Sequence, residues 1–133
     1  MPKRISDAKS KDTPLRVALV TLDGHLAAAA DRAFADLRRQ AAGIDCKLHC
    51  AGEWADDPEL QEQCIQDIGR ADIVIVCMLF LDDHIQAVMP ALSARRDHCD
   101  AMLCFMSASE VMKLTRIGSF SMDGTQSGPL ALL

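Results

Sequence analysis

Carboxylates and imidazoles stand together in two short stretches of the sequence. Asp23 and His25 follow one apolar run, and Asp82, Asp83 and His84 follow another. These groups can transfer protons, and paired carboxylates can also ligate Mg²⁺ through their oxygens. Aspartate is also common at helix N-termini, where its carboxylate accepts hydrogen bonds from free backbone N–H groups, and His25 and His84 would then be exposed in first turns. Two interpretations therefore stay open: a small-ligand or interdomain crevice, and ordinary helix caps.

A third polar stretch, at residues 107–110, has the spacing of a capping box. Ser107 would be the N-cap of a helix, and Glu110 would be its third residue. The stretch follows an apolar run, so it is expected at the same edge of a sheet as the other two stretches. The candidate crevice residues are therefore Asp23, His25, Asp82, Asp83, His84, Ser107 and Glu110, and no metal ligand is assigned among them.

The stretch from Asp23 to Ala28 comes close to the Asp-x-His-x-x-Gly loop of cobalamin-binding domains. Ala28 stands where that loop has glycine. The sequence also lacks the Gly-Gly pair of those domains, and Gly69-Arg70-Ala71 stands near the place of their Ser-x-Leu. We therefore interpret the stretch as a strand-to-helix turn, and His25 is not predicted to bind cobalt.

The cysteines mostly lie inside apolar periodic segments of the chain. Cys46 and Cys50 would share one face of a strand, whereas His49 would point to the other, so the three cannot hold one metal ion. The absence of a Cys-x-x-Cys pair argues against structural zinc and against a thioredoxin-like site. Because the sequence has no secretory signal, we predict reduced thiols packed in a core.

Composition and charge exclude several classes of protein. The chain has 133 residues, a formal net charge of -5 and 4% aromatic residues. The acidic charge argues against binding to a phosphate backbone, and the scarcity of aromatic residues argues against base stacking. The longest apolar run, from Ile73 to Leu81, is too short to span a bilayer. We predict a cytoplasmic protein with no nucleic-acid partner and no transmembrane segment.

Apolar runs that alternate with amphipathic segments predict the fold. A helix is expected after each of four strands, at residues 16–22, 44–50, 73–78 and 101–106. This alternation predicts an α/β fold with a single doubly wound parallel sheet, flavodoxin-like strand order 2-1-3-4 and helices on both faces. Ligands bind such sheets outside the carboxyl ends of the strands where the order reverses, which is where the candidate residues would lie.

Several residues mark the expected ends of the helices. Asp57 followed by Pro58 is typical of a helix start, and Asp82 or Asp83 is expected to cap the next helix. The last helix is expected to run over residues 107–118, with no fifth strand after it. We predict a polar leader at residues 1–14, the α/β domain at 15–118, and a linker at 119–133 toward missing downstream domains.

Three long stretches together resemble a known family. They are RVALVTLDGHLAAA at residues 16–29, ADIVIVCMLFLDDHIQAVMPAL at 71–92 and RRDHCDAMLCFMSASEVMKLTRIGSFSM at 95–122. They are similar to the N-terminal domain of the large H subunit of magnesium chelatase, with the bacteriochlorophyll type most alike. The resemblance runs from about residue 16 to the end of the chain, and it places this chain at the front of a longer protein.

The resemblance implies an enzymatic context for the full protein. The family's H subunit binds protoporphyrin IX and carries the insertion of Mg²⁺ during (bacterio)chlorophyll biosynthesis, while the AAA+ I and D subunits hydrolyse ATP. It implies no catalytic residue in this domain and no cofactor within it. The downstream domains of the same polypeptide, the I and D subunits and protoporphyrin IX are the implied partners.

Two roles are open for such a domain. It could form a wall of the porphyrin cavity, with Leu79, Phe80 and Leu81 as the apolar surface, or it could be a docking face. The acidic crevice disfavours direct contact with porphyrin propionates and favours capping, Mg²⁺ handling or interdomain contact. The alternatives to this family assignment are a domain of a cobalt-inserting chelatase large subunit and a non-enzymatic α/β binding or interaction module.

Overall fold

A computed structural model describes residues 14–22, 24–40 and 43–121 of the chain. Nearly all of the predicted leader and most of the predicted linker lie outside these residues, as does Asp23. None of the helices in the described ranges is long and apolar enough to cross a membrane.

Strands and helices alternate along the described chain as far as Met112. Short 3₁₀ turns at Gly24–Leu26 and Ala51–Glu53 follow the first two strands. In chain order the elements are β1 Leu15–Thr21, α1 Ala27–Gln40, β2 Ile44–Cys50, α2 Pro58–Arg70, β3 Ile73–Cys77, α3 Asp82–Arg95, β4 Ala101–Phe105, α4 Ser109–Met112, β5 Arg116–Ile117 and β6 Phe120–Ser121.

The strands form one six-stranded mixed sheet in the order β2-β1-β3-β4-β5-β6. β1 to β4 are parallel to one another, whereas β5 and β6 pair antiparallel at one edge. The α/β class and the single sheet are confirmed. The predicted all-parallel sheet of order 2-1-3-4 is wrong, because after the short α4 the chain returns to the sheet and adds β5 and β6 antiparallel beyond β4.

The last helix, predicted over residues 107–118, is only a single turn in the structure. It ends at Met112, and Gly118 does not terminate it but lies in the two-residue turn between β5 and β6, with a φ of +60°. That φ favours glycine, so Gly118 sets the hairpin. The sheet continues to Ser121, beyond residue 118, and the predicted domain boundary itself stays a prediction.

Helices cover the two faces of the sheet unequally. On the face that we call the closed face, α2, α3 and α4 pack over the apolar side chains of β1, β3 and β4, such as Val20, Val76 and Met102. On the opposite face, which we call the open face, α1 packs through Phe34 against Val17 and its neighbours on β1 and β2. The prediction of helices on both faces is confirmed.

Thr115 joins β5 to the sheet through its side chain. Its hydroxyl accepts a hydrogen bond from the backbone N–H of Cys104 and donates one to the carbonyl oxygen of the same residue, both at 2.9 Å. Thr115 is buried, so these bonds are shielded from water. One hydroxyl thus satisfies both backbone groups of Cys104 next to the short ladder between β4 and β5.

Asp72 holds the amino ends of three strands together. Its carboxylate accepts a hydrogen bond from the N–H of Arg16 at 2.9 Å, and its own N–H donates to the carbonyl of Arg16 at 2.8 Å. The carbonyl of Asp72 accepts from Asp100 at 2.7 Å, just before β4. A buried aspartate that immediately precedes β3 therefore fixes the register of β1, β3 and β4.

The predicted helix starts are partly correct. Asp57 is the N-cap of α2, its side chain accepts from the N–H of Glu59 at 3.2 Å, and Pro58 is the first helical residue. The prediction that Asp82 or Asp83 caps α3 is wrong. The N-cap is Leu81, whose side chain makes no capping hydrogen bond, and both aspartates lie inside the first turn. Carboxylates there still interact favourably with the helix dipole.

Replacing Thr115 with valine is expected to lower the free energy of unfolding by about 2–4 kcal/mol, because two buried backbone groups of Cys104 lose their partner. Thr21→Val is the matched control, since the buried Thr21 hydroxyl has no hydrogen-bond partner among the described residues. That variant should be as stable as the unmodified chain or more stable. Urea unfolding measures both, and equal effects of the two substitutions would contradict the role of Thr115.

Candidate functional site

The candidate residues that the structure describes lie at the carboxyl edge of the parallel strands, as predicted from the order of the elements. His25 is exposed in the 3₁₀ turn that follows β1. Asp82 and Asp83 are exposed in the first turn of α3, and Glu110 is exposed in α4. The fold therefore brings these loops to one edge, although the carboxylates themselves face solvent.

Ser107 is a structural residue that ties two of these loops together. Its buried hydroxyl accepts from the N–H of Leu79 at 3.0 Å and donates to the carbonyl of Phe105 at 3.0 Å. The predicted capping box is wrong, because Ala108 is the N-cap of α4 and caps without a side-chain hydrogen bond. The hydroxyl that would cap the helix is already used to hold the loop after β3.

Both of these loops begin with a methionine in a left-handed backbone conformation. Met78 has a φ of +60° and Met106 has a φ of +47°. The N–H of Met78 donates to the carbonyl of Met106 at 2.9 Å, so the two turns support each other. A non-glycine residue pays roughly 1–2 kcal/mol for this conformation, and the surrounding bonds must hold it in place.

The two turns decide which apolar side chains reach the surface. Leu79 points into the core and is fully buried, so it cannot belong to the predicted apolar wall. Its carbonyl accepts from Ala108 at 3.0 Å, which fixes it there. Phe80 and Leu81 are each more than half exposed, and they are the part of that wall that remains available.

His84 packs against an aromatic residue that the sequence pattern did not single out. Its ring meets the ring of Trp54 edge-on, with centroids 5.8 Å apart and planes at 78°. The Nε1 atom of Trp54 and the Nδ1 atom of His84 are both buried, and neither has a hydrogen-bond partner in the described part of the chain. The only tryptophan of the sequence, placed just after β2, was the available signal for this contact.

The loops after β1 and β2 are also held together. The N–H of Gly52 donates to the carbonyl of Leu22 at 2.7 Å. A Cβ atom at Gly52 would lie 2.9 Å from that carbonyl oxygen, so only glycine allows this approach. The carboxyl edge is thus built from two tied pairs of loops, with Trp54 and His84 in contact between them.

The described residues of the edge do not form a cluster of metal ligands. Among the described residues, no group of three or more His, Cys, Asp or Glu side chains converges as metal ligands would. The thiols of Cys64 and Cys104 are unsuited to nucleophilic chemistry, because burial raises the pKa of each to about 12. All six cysteines are free thiols, and five of them are buried.

A buried contact between a histidine and an aspartate, which the sequence pattern did not reveal, lies between β2 and α2. The Nε2 atom of His49 on β2 is 2.9 Å from the Oδ2 atom of Asp67 on α2, although the contact is not aligned as a hydrogen bond. Burial lowers the pKa of His49, and this effect outweighs the opposing attraction of Asp67. The strand alternation placed His49 opposite Cys46, but it did not show that α2 covers it.

A polar cavity of about 290 Å³ lies on the closed face of the sheet, between α2 and the start of β1. Its charged side chains largely pair with each other: Lys47 lies 3.8 Å from Asp45, and Arg70 lies 3.3 Å from Asp67. This pairing leaves little net charge in the cavity for an anionic ligand.

Replacing His49 with glutamine is expected to weaken the pH dependence of stability. Because the folded pKa of His49 lies below its ordinary value of 6.5, the unfolded chain binds more protons as the pH falls through that value. The unmodified chain should therefore lose stability between about pH 7.5 and about pH 5.5, down to the lowered folded pKa. Urea unfolding at the two pH values measures this loss.

The loss of stability at the lower pH should be smaller in the His49→Gln variant than in the unmodified chain. His98→Gln is the control, because His98 is exposed, and it should keep the loss of the unmodified chain. The same pH dependence in the unmodified chain and in His49→Gln would contradict the assignment.

Comparison with known proteins connects this chain to a much larger enzyme component. Residues 16–133 match the family described as "Domain of unknown function (DUF3479)". The chain is 42% identical over 117 residues to the magnesium-chelatase H subunit of Cereibacter sphaeroides and 35% identical over 117 residues to that of Rhodobacter capsulatus. It is 31% identical over 121 residues to the chloroplastic magnesium-chelatase ChlH subunit of Oryza sativa subsp. indica.

These alignments cover most of this chain but only a small part of each relative. Each covers 88% of the chain, but only 9–10% of the relative. The chain therefore spans about a tenth of the length of the curated relatives that it matches. It belongs to the DUF3479 family, and it is similar to the N-terminal region of magnesium-chelatase H subunits.

Proposed function

We propose that the chain is the N-terminal domain of the porphyrin-binding H subunit of a magnesium chelatase. The observation that carries this proposal is the 42% identity over 88% of the chain to a magnesium-chelatase H subunit. The full polypeptide then takes part in the insertion of Mg²⁺ into protoporphyrin IX during (bacterio)chlorophyll biosynthesis. The AAA+ I and D subunits supply the ATP hydrolysis.

Within that enzyme, the domain has a non-catalytic role in our proposal. Removing two protons from the pyrrole nitrogens needs a base near the metal path. The carboxylates of Asp82 and Asp83 are exposed in the first turn of α3, and that of Glu110 is exposed in α4. The thiols of Cys64 and Cys104 stay protonated at neutral pH. These features favour a structural or docking contribution, with the chemistry carried by the rest of the polypeptide.

The carboxyl edge of the sheet serves as an interdomain crevice in this proposal. Its exposed carboxylates would repel porphyrin propionates, which argues against direct contact with that end of the substrate. The proposed crevice comprises Asp23, His25, Asp82, Asp83, His84, Ser107 and Glu110, with Ser107 holding its shape.

The proposal includes the cytoplasmic location predicted from the sequence. The rice relative is named as chloroplastic.

The first test is chelation by the full-length H subunit together with its I and D partners. With protoporphyrin IX, Mg²⁺ and ATP, we expect Mg-protoporphyrin IX, which fluorescence detects. No product should form when ATP or either partner is left out. Insertion of cobalt into a corrin precursor, with no activity on protoporphyrin IX and Mg²⁺, would favour the cobalt-chelatase alternative and contradict the proposal.

A second test addresses the role of the crevice. In the full-length protein, replacing both Asp82 and Asp83 with asparagine should change kcat by less than about threefold, because neither carboxylate acts on the substrate. The same variant should be cleaved faster by a protease, since an interdomain contact is weakened. Asp56→Asn, on an exposed residue, is the control and should alter neither quantity. A loss of kcat of about 100-fold with unchanged proteolysis would place these carboxylates in the chemistry.

A further inference from the structure

One part of the sheet presents apolar side chains to solvent. Leu103 and Phe105 on β4, Met106 after it and Ile117 on β5 are exposed by 36%, 39%, 65% and 46%. We call these four residues the open apolar surface. Such a set in one continuous place is uncommon on a protein surface that has no partner.

The register of the strands shows why these residues lie together. Leu103 pairs with Ile75, and Ala101 pairs with Ile117, so their side chains share the open face. The alternate residues of β4, such as Met102, are buried on the closed face. β4 is therefore apolar on both faces, but only one face is packed.

Within the described chain, no helix reaches this part of the open face. The cluster beneath α1 contains side chains of β1, β2 and β3, and it extends only to Ile73 and Ile75. α2, α3 and α4 all pack on the closed face. Parallel strands are normally covered on both faces, so one covering element is missing above β4 and β5.

The surface also continues around the carboxyl edge. The bond between the N–H of Met78 and the carbonyl of Met106 places the loop after β3 beside Met106. That loop carries the exposed Phe80 and Leu81. β4 itself has no charged residue, and the Arg116 side chain turns away to the carbonyls of Arg96 and Cys99. A matching partner surface is therefore apolar.

We propose that an apolar element from the rest of the same polypeptide covers the open apolar surface. In the full-length protein this element packs over β4 and β5. This inference rests on the proposed function, since it takes the chain to be one domain of an H subunit. The relatives are about ten times as long as the matched region, and so they contain ample chain to supply the element. The occupant is apolar because a charged one would lose hydration without gaining a partner.

The test is cysteine labelling in the full-length protein with a maleimide, read on the peptide that carries the introduced thiol. Phe105→Cys and Ile117→Cys are compared with the controls Leu37→Cys and Leu60→Cys. The controls are exposed by 43% and 38% in this structure, much as the test sites are. We expect both test sites to react at least about tenfold more slowly than both controls, because a covered thiol is shielded from the reagent.

Equal rates at the test and control sites would overturn the proposal. Each variant is accepted only if its unfolding temperature stays close to that of the unmodified protein, and two test sites guard against the failure of one. Labelling needs no chelatase activity, so an inactive protein with protected test sites would overturn the proposed function alone.

Further arms of the experiment identify the occupant. Protection that survives replacement of Leu130, Leu132 and Leu133 by serine supports an element beyond this chain. Protection lost in that variant assigns the surface to residues 130–133 and overturns the proposal. Protection that disappears on dilution would indicate that a second copy covers the surface, and it would also overturn the proposal. Protection that arises only when protoporphyrin IX is added would overturn it as well.

Discussion

β3 pairs with a parallel strand on each side, and this double pairing is the constraint on which the rest of the structure depends. Parallel neighbours cannot be joined by tight turns, so the chain must leave the sheet and return through a helix. The crossovers place α1 on one face and α2 and α3 on the other. They also bring the loops after β1, β3 and β4 to one edge, while Asp72 at the opposite edge keeps their strands in register.

The elements that could be predicted from the sequence are those with a strong local pattern. The alternation over Ile44–Cys50 and the β-branched run from Ile73 located two strands, and Asp57 located a helix start. β5 and β6 have two residues each, too few for any periodicity. Just before β5 the Thr115 hydroxyl satisfies both backbone groups of Cys104 on β4, a contact between residues that no local pattern connects.

The candidate site shows the same division between local and distant interactions. The sequence placed its loops at the correct edge, because that follows from the order of the strands. It assigned Ser107 to a local cap, whereas the structure uses this hydroxyl to bind the N–H of Leu79, 28 residues away. The left-handed Met78 and Met106 could not be anticipated either, since methionine rarely adopts that conformation. Their strain is held by bonds between the two loops.

The open apolar surface also has a consequence for the order of synthesis. In the relatives the matched region is N-terminal, so it leaves the ribosome before the rest of the polypeptide. Its sheet can form once Ser121 has emerged, while most of the polypeptide is still unmade. During that interval Leu103, Phe105 and Ile117 face water and neighbouring nascent chains, a situation that promotes aggregation. In the polypeptide that we propose, the first domain to fold is thus also one that needs shielding until the covering element has been made.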